Sequence, residues 1–197
     1  MVVDVAPFGQ FADQHVPGTI NLPLKYLASE GGWLLDYKKP VYLIGAGEQL
    51  REAVRIMQAI GVDNIGGFFD PKDVAEAGFE METYENNCPN ELAAKIAAGT
   101  VRLIDVRRQT EWDAGRIEGA EHMFLGRLLD FVDELKSDAA NRPVVLQCRV
   151  GNRSSIAASL LQAAGIMNVV NLQGGIEQWQ AEGHAVQTEL DSAIAGA

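Results

Sequence analysis

The sequence predicts an α/β fold made of two tandem copies of one domain, each a mainly parallel sheet flanked by helices. Three observations carry this. Segments of the first half recur in the second in the same order. Short apolar strands alternate with stretches of helical spacing, the pattern of βαβ units. The segment Pro143 to Gln147 is too apolar for a half-exposed strand, so it reads as the centre of a parallel sheet.

The repeat sets the organisation. Val3-Asp4-Val5, Gln10-Phe11 and His15-Val16-Pro17-Gly18-Thr19 recur as Ile104-Asp105-Val106, Glu111-Trp112 and Arg116-Ile117-Glu118-Gly119-Ala120, at a constant offset of 101. Pro40-Val41-Tyr42-Leu43 matches Pro143-Val144-Val145-Leu146 at 103, and Gln58 to Val62 matches Gln162 to Ile166 at 104. Ile65-Gly66-Gly67-Phe68 echoes Gln173-Gly174-Gly175-Ile176 at 108. The offset grows in small steps, as insertions in loops would make it. The expected division is a first domain over 1–80, an acidic polar linker over 81–87 and a second domain over 88–197.

In the second copy Asn90 caps a helix to about Ala98, ended by Gly99. Val101 to Asp105 is a strand. Leu125, Leu128, Leu129, Val132 and Leu135 have helical spacing. A helix over Ser154 to Ala164, a strand over Asn168 to Leu172 and a helix over Ile176 to Glu182 follow. The first copy starts directly on its strand at Val2, with no counterpart of the leading helix. This predicts either N-terminal truncation or a naturally minimal domain.

Composition excludes several classes. The net charge of −11 disfavours nucleic acid as a partner. No apolar run reaches the roughly 20 residues of a membrane helix, and the N-terminus lacks a basic leader. Two cysteines, Cys88 and Cys148, are too few for a disulfide framework, which fits a reducing, cytoplasmic setting. His15, His122 and His184 lack metal-ligand spacing, so no metal or other cofactor is expected.

The chemistry concentrates in Val144-Val145-Leu146-Gln147-Cys148-Arg149-Val150-Gly151-Asn152-Arg153-Ser154. A buried strand ends at a cysteine, a short glycine-containing loop follows, and a helix begins. Backbone N–H groups of such a loop converge into an anion cradle, and the helix N-terminus adds partial positive charge. Arg149 and Arg153 are expected to add full charges, favouring a thiolate and stabilising a persulfide anion or charge developing on sulfur. Val150 and Asn152 complete the loop, Gly151 permits its tight path, and Ser154 either caps the helix or donates to the sulfur. Asp105 and Arg107 are expected to pair beneath the loop as support.

Cys148 and Arg153 stand in Cys-x4-Arg spacing. Cysteine phosphatases use Cys-x5-Arg, a larger ring that holds a tetrahedral phosphate. The shorter loop favours a sulfane sulfur on the cysteine. A phosphatase or arsenate reductase on the same fold, and a non-catalytic interaction module, are the competing readings.

The second copy resembles a rhodanese domain over roughly residues 86–187. The resemblance rests on Leu103-Ile104-Asp105-Val106-Arg107, Glu111-Trp112 with Gly115 to Ala120, the Cys148–Ser154 loop, and Leu172-Gln173-Gly174-Gly175-Ile176 with Trp179 and Gly183. It implies a Cys148 persulfide and ping-pong transfer, with thiosulfate or a small persulfide as donor and a thiol or cyanide as acceptor. Glu118-Gly119 departs from the usual Pro-Gly, and Glu121-His122 also departs from the pattern; both lie away from the loop.

The first copy is similar to the same family, with Gly18-Thr19-Ile20-Asn21-Leu22-Pro23 in place. Gly45 occupies the position of Cys148, no arginine follows within the loop, and Glu48 would repel an anion. This copy is expected to be catalytically inactive. The arrangement resembles the C-terminal part of metallo-β-lactamase–rhodanese fusions, including persulfide dioxygenases, which implies a possible metallo-β-lactamase-like partner domain; the metal motif of such a domain is absent from this sequence. Cys88 is expected to be a small buried hydrophobe, and Trp179 to pack its helix or line the rim.

Overall fold

The computed structural model describes residues 1–188; positions 189–197, assigned above to the second domain, lie outside the described residues. The chain forms two compact units, Met1–Thr83 and a second beginning at Tyr84.

The first unit runs β1 (Val2–Asp4), α1 (Phe8–Asp13), β2 (Thr19–Asn21), α2 (Leu24–Leu34), β3 (Val41–Ile44), α3 (Gly47–Ala59), β4 (Ile65–Phe69) and α4 (Pro71–Glu76). Its sheet has the order β2-β1-β3-β4, and all three pairings are parallel. Val3, Phe11, Leu22, Leu27, Leu43 and Met57 form its interior. They come from β1, β3, the residue after β2 and the buried faces of α1, α2 and α3, as parallel pairing with helical crossovers requires.

The second unit runs β5 (Glu85–Asn87), α5 (Pro89–Ala97), β6 (Arg102–Asp105), α6 (Gln109–Asp113), β7 (Glu121–His122), a 3-10 turn (Leu125–Phe131), α7 (Val132–Ala139), β8 (Val144–Gln147), α8 (Asn152–Ala163), β9 (Val169–Leu172) and α9 (Gly175–Ala181). The sheet order is β5-β9-β8-β6-β7, again with parallel pairings. Every residue of β6, β8 and β9 is buried, so helices cover both faces of the centre. Leu92, Leu103, Ile117, Val145, Leu172 and Trp179 belong to one core cluster.

Three local expectations are corrected. Glu85–Asn87, placed in the linker from its polarity, is the outer strand β5; Asn171 Nδ2 donates to Asn86 Oδ1 at 2.8 Å, so a polar edge is held by side-chain amides as well as by the ladder. The helix starting before Asn90 is capped at Cys88, with Pro89 in its first position and Glu91 accepting the Cys88 N–H at 2.7 Å. The stretch from Leu125 divides into the 3-10 turn and α7, because apolar residues three apart fit either helix type.

The two units share their hydrogen-bond frame. Ala6 N–H donates to Asp4 Oδ1 at 2.8 Å and Arg107 N–H to Asp105 Oδ1 at 2.9 Å. Leu22 N–H bonds Asp4 O at 2.9 Å, and Met123 N–H bonds Asp105 O at 3.0 Å. The Ala6 carbonyl accepts from Asn21 Nδ2, and the Arg107 carbonyl from His122 Nε2. Antiparallel bridges close both units, His15 with Glu82 and Arg116 with Gln187. The strand orders superimpose once β5 is set aside.

Candidate active site

Cys148 stands at the carboxyl end of the buried central strand β8 and is 1% exposed. In open α/β sheets this end of the strands is where ligands bind. The chain turns through Gly151 at φ +91° and enters α8, whose N-terminus contributes partial positive charge. Two donors point at the sulfur: Gly151 N–H at 3.2 Å and the Ser154 hydroxyl at 3.4 Å. Ser154 therefore serves the sulfur; it makes no cap, since the capping position is Gly151.

A second layer holds the loop in this shape. Ile176 N–H donates to the Cys148 carbonyl at 2.9 Å, and Glu177 N–H to the Arg149 carbonyl at 3.1 Å. The start of α9 thus takes two loop carbonyls, while Gly151 N–H turns to the sulfur. Such close approach explains Gly175: a Cβ there would lie 2.3 Å from the Cys148 carbonyl oxygen.

The arginines do not arrive as isolated charges. Arg149 is exposed, and its Nε pairs with Glu177 Oε1 at 2.6 Å. Arg153 is more enclosed and grips Glu111 through two bonds of 2.7 Å. The Arg153 guanidinium holds the Glu111 carboxyl below its ordinary value. Val150 is exposed at the loop tip, and Asn152 begins α8, half-buried. Glu177 stands at no motif position, and Glu111, though part of the Glu111-Trp112 motif, carries no sequence signal of its partner Arg153.

Asp105 and Arg107 form a buried ion pair. Arg107 Nη2 lies 2.6 Å from Asp105 Oδ2 and 2.7 Å from the Gly115 carbonyl, with both side chains buried. Val106 N–H bonds the Gln147 carbonyl at 3.0 Å, so the pair is tied to the residue preceding Cys148. Cys88 is half-buried and, like Cys148, a free thiol. Trp179 packs in the core and donates to the Ala185 carbonyl. Among the described residues no cluster of His, Cys, Asp or Glu could hold a metal ion, and no helix is long and apolar enough to cross a membrane.

At the matching place in the first unit stands Gly45. A Cβ there would lie 2.8 Å from Val5 Cγ2, so any side chain would require that core residue to move. Glu48 is engaged by Arg51 Nε at 2.9 Å.

Residues 89–182 match the model of the rhodanese-like domain. The thiosulfate sulfurtransferase GlpE of Pseudomonas fluorescens (strain SBW25) is 34% identical over 100 residues, covering 51% of this chain and 88% of that protein. The probable adenylyltransferase/sulfurtransferase MoeZ of Mycobacterium tuberculosis (strain ATCC 25618 / H37Rv) is 37% identical over 92 residues, covering 46% of this chain and 23% of that one. Among solved structures, a rhodanese-related protein of Thermoplasma volcanium is 27% identical with a TM-score of 0.48, covering 54% of this chain and all of that one. With 88% of the GlpE length covered at 34% identity, and residues 89–182 matching the rhodanese-like domain, the chain belongs to the rhodanese family.

Proposed function

We propose that this protein is a sulfurtransferase that carries sulfane sulfur on Cys148. The observation that carries the reading is the pair of donors, Gly151 N–H and the Ser154 hydroxyl, aimed at one sulfur at the end of a buried strand. Donors fixed before reaction stabilise charge on sulfur without reorganisation. The Cys148 thiolate attacks the outer sulfur of thiosulfate, the S–S bond to the sulfonate breaks, and sulfite leaves with the bonding pair. A thiolate or cyanide then attacks the outer sulfur of the Cys148 persulfide, releasing a new persulfide or thiocyanate and restoring the thiolate. The donors aimed at Cys148 serve both anionic forms, thiolate and persulfide.

The first unit is, in this reading, an inactive copy of the same domain. Its shared hydrogen-bond frame and strand order support the kinship, and Gly45 in place of Cys148 removes the nucleophile.

Intact-mass spectrometry tests the proposal. Incubation with thiosulfate or glutathione persulfide is expected to add one sulfur atom, which cyanide or thiol removes, and Cys148→Ser abolishes the gain. A persulfide that forms equally well on the Cys148→Ser protein overturns the reading.

A further inference from the structure

The first unit contains a cavity of about 600 Å³ at the carboxyl ends of β1 and β3, within the size range of small-ligand sites. Asp4, Asp13, Gln14 and His15, whose ring lies 3.7 Å from the Glu82 carboxylate, supply polar wall, and Ile44, Val74 and Met81 supply apolar wall. No lysine or arginine lines it among the described residues.

The second unit shows what its Asp4 counterpart holds. Asp105 receives the Arg107 guanidinium, whose Nη2 reaches on to the Gly115 carbonyl at 2.7 Å. The counterparts of Arg107 and Gly115 are Ala6 and Gln14. The turn around the carboxylate is kept, with Asp4 Oδ1 accepting from Ala6 N–H at 2.8 Å. No hydrogen bond to Asp4 Oδ2 occurs among the described residues. The first unit therefore retains the acceptor of a guanidinium and has lost the guanidinium. Burial pushes the Asp4 carboxyl up from its ordinary value, as expected for a carboxylate short of a counter-charge.

We propose that this cavity binds a small alkylguanidinium compound, its head on Asp4 as Arg107 sits on Asp105, and its stem against Ile44, Val74 and Met81. A planar fork suits a carboxylate edge better than a compact ammonium does. The apolar wall selects for the alkyl stem.

The test is calorimetric titration of the full chain with butylguanidinium, butylammonium and butylurea at constant ionic strength. Butylguanidinium is expected to bind saturably at about 1 mM or tighter. The ammonium should bind more weakly and the neutral urea not at all. Asp4→Asn should weaken butylguanidinium about tenfold or more. Ala6→Arg, which supplies an internal guanidinium, should abolish binding and raise the melting temperature of the first unit; it decides the matter if Asp4→Asn does not fold. Absence of saturable binding, equal affinity for the ammonium, or unchanged affinity in a folded variant overturns the proposal. Cys148→Ser should bind as the parent does, so the outcome is independent of the sulfur-transfer reading.

Discussion

Arg153 and Glu111 are joined by two parallel hydrogen bonds of 2.7 Å, Nη1 to Oε2 and Nη2 to Oε1. The first turn of α8 is thereby fastened to α6, in addition to the bonds that α9 makes to the loop. The loop that presents Cys148 is held by two helices, and the charge of Arg153 is balanced by Glu111.

Glu111→Gln keeps the size of the side chain and removes the charge. It should cost about 1 kcal/mol of stability, the scale of a well-formed but partly exposed pair. Persulfide formation should slow by about fivefold if that energy is expressed in loop position. Arg153 lowers the Glu111 carboxyl in the folded state, so the pair stabilises above the ordinary value of 4.5 and its contribution is lost as pH falls through the lowered one. Melting curves of the two proteins should therefore differ at neutral pH and converge in acid.

Much of this site was legible in the sequence, and the reasons differ by residue. Cys148, Gly151 and Ser154 are contiguous, and a buried strand followed by a short loop and a helix dictates where they go. Asp105 and Arg107 are two positions apart, close enough for a local turn to bring them together. Glu111 and Glu177 lie 42 positions before Arg153 and 28 after Arg149, so only tertiary folding pairs them. The two arginines expected to bring full positive charge to the loop each carry a glutamate partner that lies far away in sequence. In the fold, strands β6, β8 and β9 were visible as apolar runs, whereas β5 is a polar edge that carries no such signal.

Gly151→Ala should damage the loop specifically. At φ +91° an alanine is strained, and its Cβ would stand 3.0 Å from Gly174 N. The expected cost is about 1–3 kcal/mol. Because Gly151 N–H is one of the donors to the sulfur, persulfide formation should fall by roughly tenfold or more, a drop larger than the melting temperature alone would suggest. Stopped-flow loading with glutathione persulfide measures it.

Asp105→Asn tests the support beneath the loop. Arg107 would stay buried with its counter-ion gone, and breaking such a pair from one side costs about 3–5 kcal/mol. Denaturant titration should show the second unit unfolding at a lower midpoint, with the first unit's transition unchanged.

Asp4→Asn should have the opposite sign. Burial outweighs the Ala6 N–H bond and raises the Asp4 carboxyl above its ordinary value of 3.8. A group raised in the folded state favours folding below its unfolded value, and that contribution is lost as pH rises through the raised one. At neutral pH the ionised Asp4 therefore works against the first unit. Asparagine still offers an oxygen to Ala6 N–H and carries no charge, so the first transition should shift upward by a few degrees at pH 7. The gain should shrink as the pH approaches 3.8, where the aspartate of the parent is itself becoming neutral. A melting series across that range reads both the sign and the window. The contrast with Asp105, where the same substitution is destabilising, comes from one difference between the units: an arginine at position 107 and an alanine at position 6.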